Sequence, residues 1–161
     1  MHFSKLSRAE LVGLVGAILL IVALFFLDWY SLADTPNRDS GSDFICGQDQ
    51  YTCTGWETFP ILRWVLLAVA VAPLILAYIV VRGHKLSWAP GELTMVLGFT
   101  GFVLIAYNGL IDPPGKQTAE IGITKEIGYY VALFASLGIS AAGIGRAMEA
   151  DKGPRKAPGT V

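Results

Sequence analysis

Four apolar stretches, each close to twenty residues long, constrain this chain more than any other feature in it. A helix rises about 1.5 Å per residue and the hydrocarbon core of a bilayer is about 30 Å thick, so a stretch of that length crosses it once. The stretches cover about 11–30, 60–81, 92–111 and 127–147. Inside lipid the backbone N–H and C=O groups find no water and must bond within their own segment, which selects helices over open strands. The expectation is an all-α integral membrane protein, a four-helix bundle over residues 1–150, followed by a disordered cytoplasmic tail at 151–161 that contains Pro154 and Pro158. With 53% hydrophobic residues and a net charge of -1, the chain lacks the basic excess that draws proteins onto nucleic acid.

Basic side chains beside a span resist translocation, so their distribution predicts orientation. Lys5, Arg8, Arg82, Lys85, Arg146, Lys152, Arg155 and Lys156 flank one side, eight of the 12 basic residues. Arg38, Lys116 and Lys125 are the basic residues of the opposite loops, where Asp34, Asp39, Asp43, Asp49, Glu57, Asp112, Glu120 and Glu126 gather. Both termini are therefore expected in the cytoplasm of a multi-pass cell-membrane protein. Span one also has the outline of a secretory signal, with Lys5 and Arg8 before the apolar run and Ser31-Leu32-Ala33 after it. The run exceeds the usual signal core, and Trp29 and Tyr30 read as an interfacial anchor, so a retained anchor is the better reading.

The largest loop, 31–58, is polar, too short for a core of its own, and faces outward. Its cysteines, Cys46 and Cys53, are the only two in the chain, and on the oxidising side they are expected to form a disulfide that pins a local turn and shapes a surface. Gly55-Trp56-Glu57-Thr58-Phe59-Pro60 leads into span two, with the aromatic pair at headgroup level and Pro60 in the first helical turn. Ala89-Pro90-Gly91-Glu92 opens span three with a proline and an acid at a helix start. Asp112-Pro113-Pro114-Gly115 is a turn sequence. No internal repeat of the transporter kind is visible.

Span four is the richest in small residues, from Ala132 through Ala135, Ser136, Gly138, Ser140 and Gly143 to Gly145, which places it at the centre of the bundle. Gly13 with Ala17, and Thr94 with Gly98, are small pairs suited to close helix contact. Such faces are expected to pack within the bundle or to drive association with a protein partner or a second copy.

Transporters and proton relays leave ionisable groups within their spans. Here Asp28 closes span one and Arg63 opens span two, where they read as an interfacial ion pair or a snorkelling arginine rather than a substrate contact. Asn108, near the end of span three, reads as an interhelical hydrogen bond in preference to a cavity lining. Pro73 should bend span two. Glu92 has a structural reason to exist as a first-turn acid. His2 and His84 have no ligand cluster around them, and no phosphate loop or nucleophile motif is present, so neither a metal nor a cofactor is predicted. A membrane thiol oxidoreductase needs a C-x-x-C pair and a second relay pair, whereas this chain has one pair with six residues between.

Trp29-Tyr30, Gly55-Trp56-Glu57-Thr58-Phe59, Pro90-Gly91-Glu92-Leu93 and the small-rich fourth span together resemble uncharacterised small four-span membrane proteins of bacteria. The resemblance covers most of the chain, rests on interfacial motifs, and implies topology without an activity. The outline is also similar to claudin-like proteins, whose outer loop holds a tryptophan-rich motif and a cysteine pair, but Trp56 follows the cysteines instead of preceding them, and that kinship is set aside. The functional expectation is a non-enzymatic accessory or scaffold component of a membrane assembly. The alternatives are a self-assembling transporter or channel with Asn108, Asp28 and Arg63 lining an outer vestibule, and a thiol redox protein working through Cys46 and Cys53.

Overall fold

The computed structural model of the chain describes residues 7–32, 46, 51–82, 90–114 and 123–151. Four long helices dominate it: α1 (Arg8–Phe26), α3 (Leu62–Val81), α4 (Pro90–Ala106) and α5 (Ile127–Asp151), with a four-residue helix α2 (Gly55–Thr58) before α3. Each long helix, α4 together with the wide turn that continues it, is long and apolar enough to cross a membrane. Their outer surfaces are apolar too: Leu11, Val15, Ile18 and Phe26 on α1, and Phe99 and Val103 on α4, are exposed. A water-soluble domain hides such continuous apolar surface, whereas lipid accepts it. The chain is a multi-pass membrane protein whose helices contact the bilayer.

Helix starts follow local chemistry. Ser7 caps α1: its hydroxyl accepts from the Glu10 N–H at 3.3 Å and the Glu10 carboxylate accepts from the Ser7 N–H at 2.8 Å, a reciprocal box that begins the helix three residues before the apolar run. Pro90 is the first residue of α4 and Glu92 stands in its first turn, as the sequence predicts. Pro60 lies ahead of α3 and not inside it, while Pro73 is within that helix. At its far end α4 widens into a π-helical turn, Tyr107–Ile111, closed by the Asp112 N–H donating to the Tyr107 carbonyl at 3.0 Å.

Helix α5 is central, packed along α4 and α1, with α3 closing the bundle against α1. Small residues make this possible. A Cβ on Gly98 would lie 2.4 Å from the Ser140 nitrogen, and one on Gly143 would lie 2.2 Å from the Met95 nitrogen, so α4 and α5 meet backbone to backbone. The Ser140 hydroxyl donates across that contact to the Met95 carbonyl at 3.3 Å. Gly13 faces Ala142 and Gly16 faces Ala135 and Ile139 in the α1–α5 contact. The small faces read from the sequence are thus used inside one chain.

The expectation of an all-α fold needs correction, because the structure is mostly helical and also has a sheet. Strand β1 (Asp28–Leu32) sits between β2 (Thr52–Thr54) and β3 (Ile123–Lys125), antiparallel to both. Tyr30 stands opposite Cys53 on one side and Lys125 on the other. Helix α1 ends at Phe26 because Leu27 turns extended (φ -104°, ψ 138°) and the chain runs straight into β1. Trp29 and Tyr30 are therefore not the last turn of a span or an interfacial anchor: both are fully buried in the sheet. The physical reason is geometric: the chain leaves the helix at Leu27, and the register of β1 against β2 shifts between Asp28 and Tyr30, breaking the alternation that would otherwise send these two rings to opposite faces. The tail at 152–161, most of the large loop (33–45 and 47–50), the 83–89 link with His84 and Lys85, His2, Lys116 and Glu120 lie outside the described residues.

Candidate functional site

Beneath the sheet, at the end of the bundle where α1 and α4 finish and α3 and α5 begin, lies a cluster of aromatic side chains. Trp29, Tyr30, Phe59 and Tyr129 are buried there with ring centroids 6.0–6.3 Å apart. The Trp29 indole N–H donates to the Ala23 carbonyl at 2.7 Å, satisfying a carbonyl that the end of α1 would otherwise leave without a partner. Gly55 permits this: a Cβ there would fall 2.5 Å from the Trp29 ring. On the other side, the Glu126 N–H donates to the Trp29 carbonyl at 2.8 Å and the Ser31 hydroxyl donates to the Glu126 carboxylate at 2.6 Å, fastening β1 to the start of α5. Phe59, expected at headgroup level with Trp56, is buried in this cluster, while Trp56 is half-buried and stacks on Phe25 at 4.6 Å.

The disulfide between Cys46 and Cys53 is present, with Cα atoms 5.0 Å apart. It does not merely pin a surface turn. Both cysteines are buried, Cys53 completely, and belong to the same core as Trp29 and Tyr30. The sulfur bridge therefore ties the large loop to the sheet floor. The tryptophan built into the sheet is Trp29, which precedes the cysteines in the chain, and Trp56 stands at the rim.

The polar residues singled out in the sequence are not brought together. Asp28 is exposed at the start of β1. Arg63 forms no ion pair with it; its Nη1 donates to the Trp56 carbonyl at 3.3 Å and its guanidinium lies over the rings of Trp56 (4.9 Å) and Trp64 (5.8 Å). Among the described residues Asn108 makes no interhelical bond. Its Nδ2 donates to the Leu104 carbonyl at 2.9 Å, one turn back in its own helix, at the point where α4 widens into the π-turn and carbonyl spacing changes.

Sequence reasoning missed an ion pair at the other end of the bundle. Arg146 Nη2 donates to Glu10 Oε1 at 2.5 Å, the two side chains being 15% and 6% exposed, and among the described residues it is the ion pair the structure contains. It lines a notch of about 10 Å³ with Ala9, Pro73, Ala77 and Thr94, about the room one water needs. All four long helices contribute to that notch. The signal was present as Ser7-x-x-Glu10, which marks a helix start and so places Glu10 inside the first span. Among the described residues no group of three or more His, Cys, Asp or Glu side chains is placed to hold a metal ion.

Burial raises the Tyr30 phenol pKa above its ordinary value, with the neighbouring Tyr129 phenol adding to the effect. The hydroxyls of Tyr30 and Tyr129 are both buried without a hydrogen-bond partner among the described residues.

Comparison with protein-family models, with curated proteins and with solved structures found no match to this chain.

Proposed function

We propose that the protein is a non-enzymatic scaffold or accessory component of a membrane assembly, both of whose termini lie in the cytoplasm and whose sheet-bearing end faces outward. The single observation that carries this reading is the buried fastening of the cap: β1 is paired on both sides, Cys53 is joined to Cys46 beneath it, and Trp29 and Tyr30 anchor it to the helices. Such a base fixes Leu32, Cys46 and Thr52, between which the acidic stretch is strung, relative to the bundle, and preorganised attachment points reduce the entropy lost when a protein partner binds. The basic flanks supply the orientation. A redox role has less support, since thiol exchange needs an accessible sulfur and this pair is enclosed. An outer vestibule has less support too, since Asp28, Arg63 and Asn108 are engaged or exposed at separate places.

Cross-linking in native membranes followed by purification in mild detergent tests the role. Native protein is expected in a discrete higher-mass species that the Cys46→Ser/Cys53→Ser variant forms less readily while remaining folded. A native protein that stays monomeric at every cross-linker dose overturns the scaffold reading.

A further inference from the structure

Arg63 stands in the first turn of α3, at the edge of a membrane span, and its charge has no counter-ion among the described residues. A guanidinium carries five N–H donors. One is used on the Trp56 carbonyl, and the buried Nε–H has no acceptor among the described residues. The rings of Trp56 and Trp64, 5.2 Å apart, wall the cation, and Phe25 backs Trp56 from α1. On the outer side Trp64 is 57% exposed and Ile61 80% exposed, so the walls continue into surface that lipid chains cover. A planar cation with spare donors, held by aromatic rings at the depth where tryptophan meets headgroups, matches a phosphodiester above and acyl chains beside it.

We propose that Arg63, boxed by Trp56 and Trp64, is a binding site for the phosphate of an anionic phospholipid. The lipid supplies a counter-charge, its phosphate oxygens accept from the guanidinium Nη groups, and its chain lies against Ile61 and Trp64. A zwitterionic lipid offers the same phosphate with its own cation attached, so the net charge decides the preference. One basic side chain near a membrane surface favours an anionic lipid by about fivefold. The flanking apolar surface commits the site to a lipid over free phosphate.

Native mass spectrometry of the full-length, delipidated protein in detergent tests this, with phosphatidylglycerol and phosphatidylcholine of identical chains competing at equal concentration. About fivefold more bound phosphatidylglycerol is expected for the native protein. The ratio should fall to about one in Arg63→Gln, and Arg82→Gln, which alters a cation over Tyr78 in the last turn of α3, should leave it unchanged. No preference in the native protein overturns the proposal without recourse to any variant. So does a preference that survives Arg63→Gln, that Arg82→Gln abolishes equally, or that millimolar inorganic phosphate erases.

Discussion

Tyr30 is fully buried on β1 with a hydroxyl that has no partner among the described residues, and both facts bear on stability. Loss of water around the phenol, then the nearby Tyr129 phenol, raise its pKa above the ordinary value of 10.0. As pH rises the unfolded chain releases this proton first, so above about pH 10 the unfolded state binds fewer protons and unfolding becomes easier. The contribution is intact below that pH and is lost progressively above it. Tyr30→Phe should show a shallower alkaline loss than the native protein in detergent melts, and at pH 7 should cost less than about 1 kcal/mol because no hydrogen bond is removed. Glu10 and Arg146 behave in the opposite sense, since each leaves the other charged and enclosed when altered. Glu10→Gln keeps the cap on Ser7 and loses the ion pair; it and Arg146→Leu should each destabilise by about 3 kcal/mol. The double variant should cost clearly less than the two together, as read from reversible unfolding in mixed micelles. This pair was hard to see in the sequence because the two charges lie far apart in the chain: Ser7-x-x-Glu10 puts the acid inside the first helix but does not name its partner, and Arg146 reads as an ordinary membrane flank.

Among the elements, the helices were legible and the strands were not. Apolar length is a local property, so four stretches of nearly twenty residues announce four spans whatever surrounds them. Pro90 and Glu92 likewise mark the start of α4 through chemistry confined to one turn. Strands of five, three and three residues carry too few positions for an alternating pattern, and β1 buries Trp29 and Tyr30 in succession. Their existence depends on pairing between segments far apart in sequence. The small residues of α4 and α5 were legible as packing, but not which of them carry it. Gly98 has a neighbouring backbone where its Cβ would be, whereas a Cβ on Gly138 would meet nothing within 4 Å. Gly98→Ala should therefore push α4 and α5 apart and cost about 1–3 kcal/mol. Gly138→Ala should be neutral or stabilise by up to about 1 kcal/mol, since alanine loses less backbone freedom in a helix. Parallel thermal melts of the two variants check the contrast.

For the whole molecule, the disulfide and the sheet lie at one end of the bundle and the Glu10–Arg146 pair at the other. The charge bias predicts which end meets the cytoplasm. Alkaline phosphatase inserted at residue 40 should be active and a fluorescent protein fused after residue 161 should fluoresce; the reverse pattern would turn the molecule over. The candidate site was half legible: two lone cysteines suggested a bridge, yet nothing local showed that it would sit in the core with Trp29.

Strand β3 is made late, between the third and fourth spans, and it forms one whole side of β1. A nascent chain that has threaded its first three crossings still has Tyr30 without its Lys125 neighbour and Trp29 without Glu126. The sheet-bearing end is closed only once β3 and the start of α5 are in place, so the last strand to be made completes the sheet that the first helix began. A chain cut before Ile123 would leave β1 with one edge unpaired and Trp29 and Tyr30 without the Tyr129 ring.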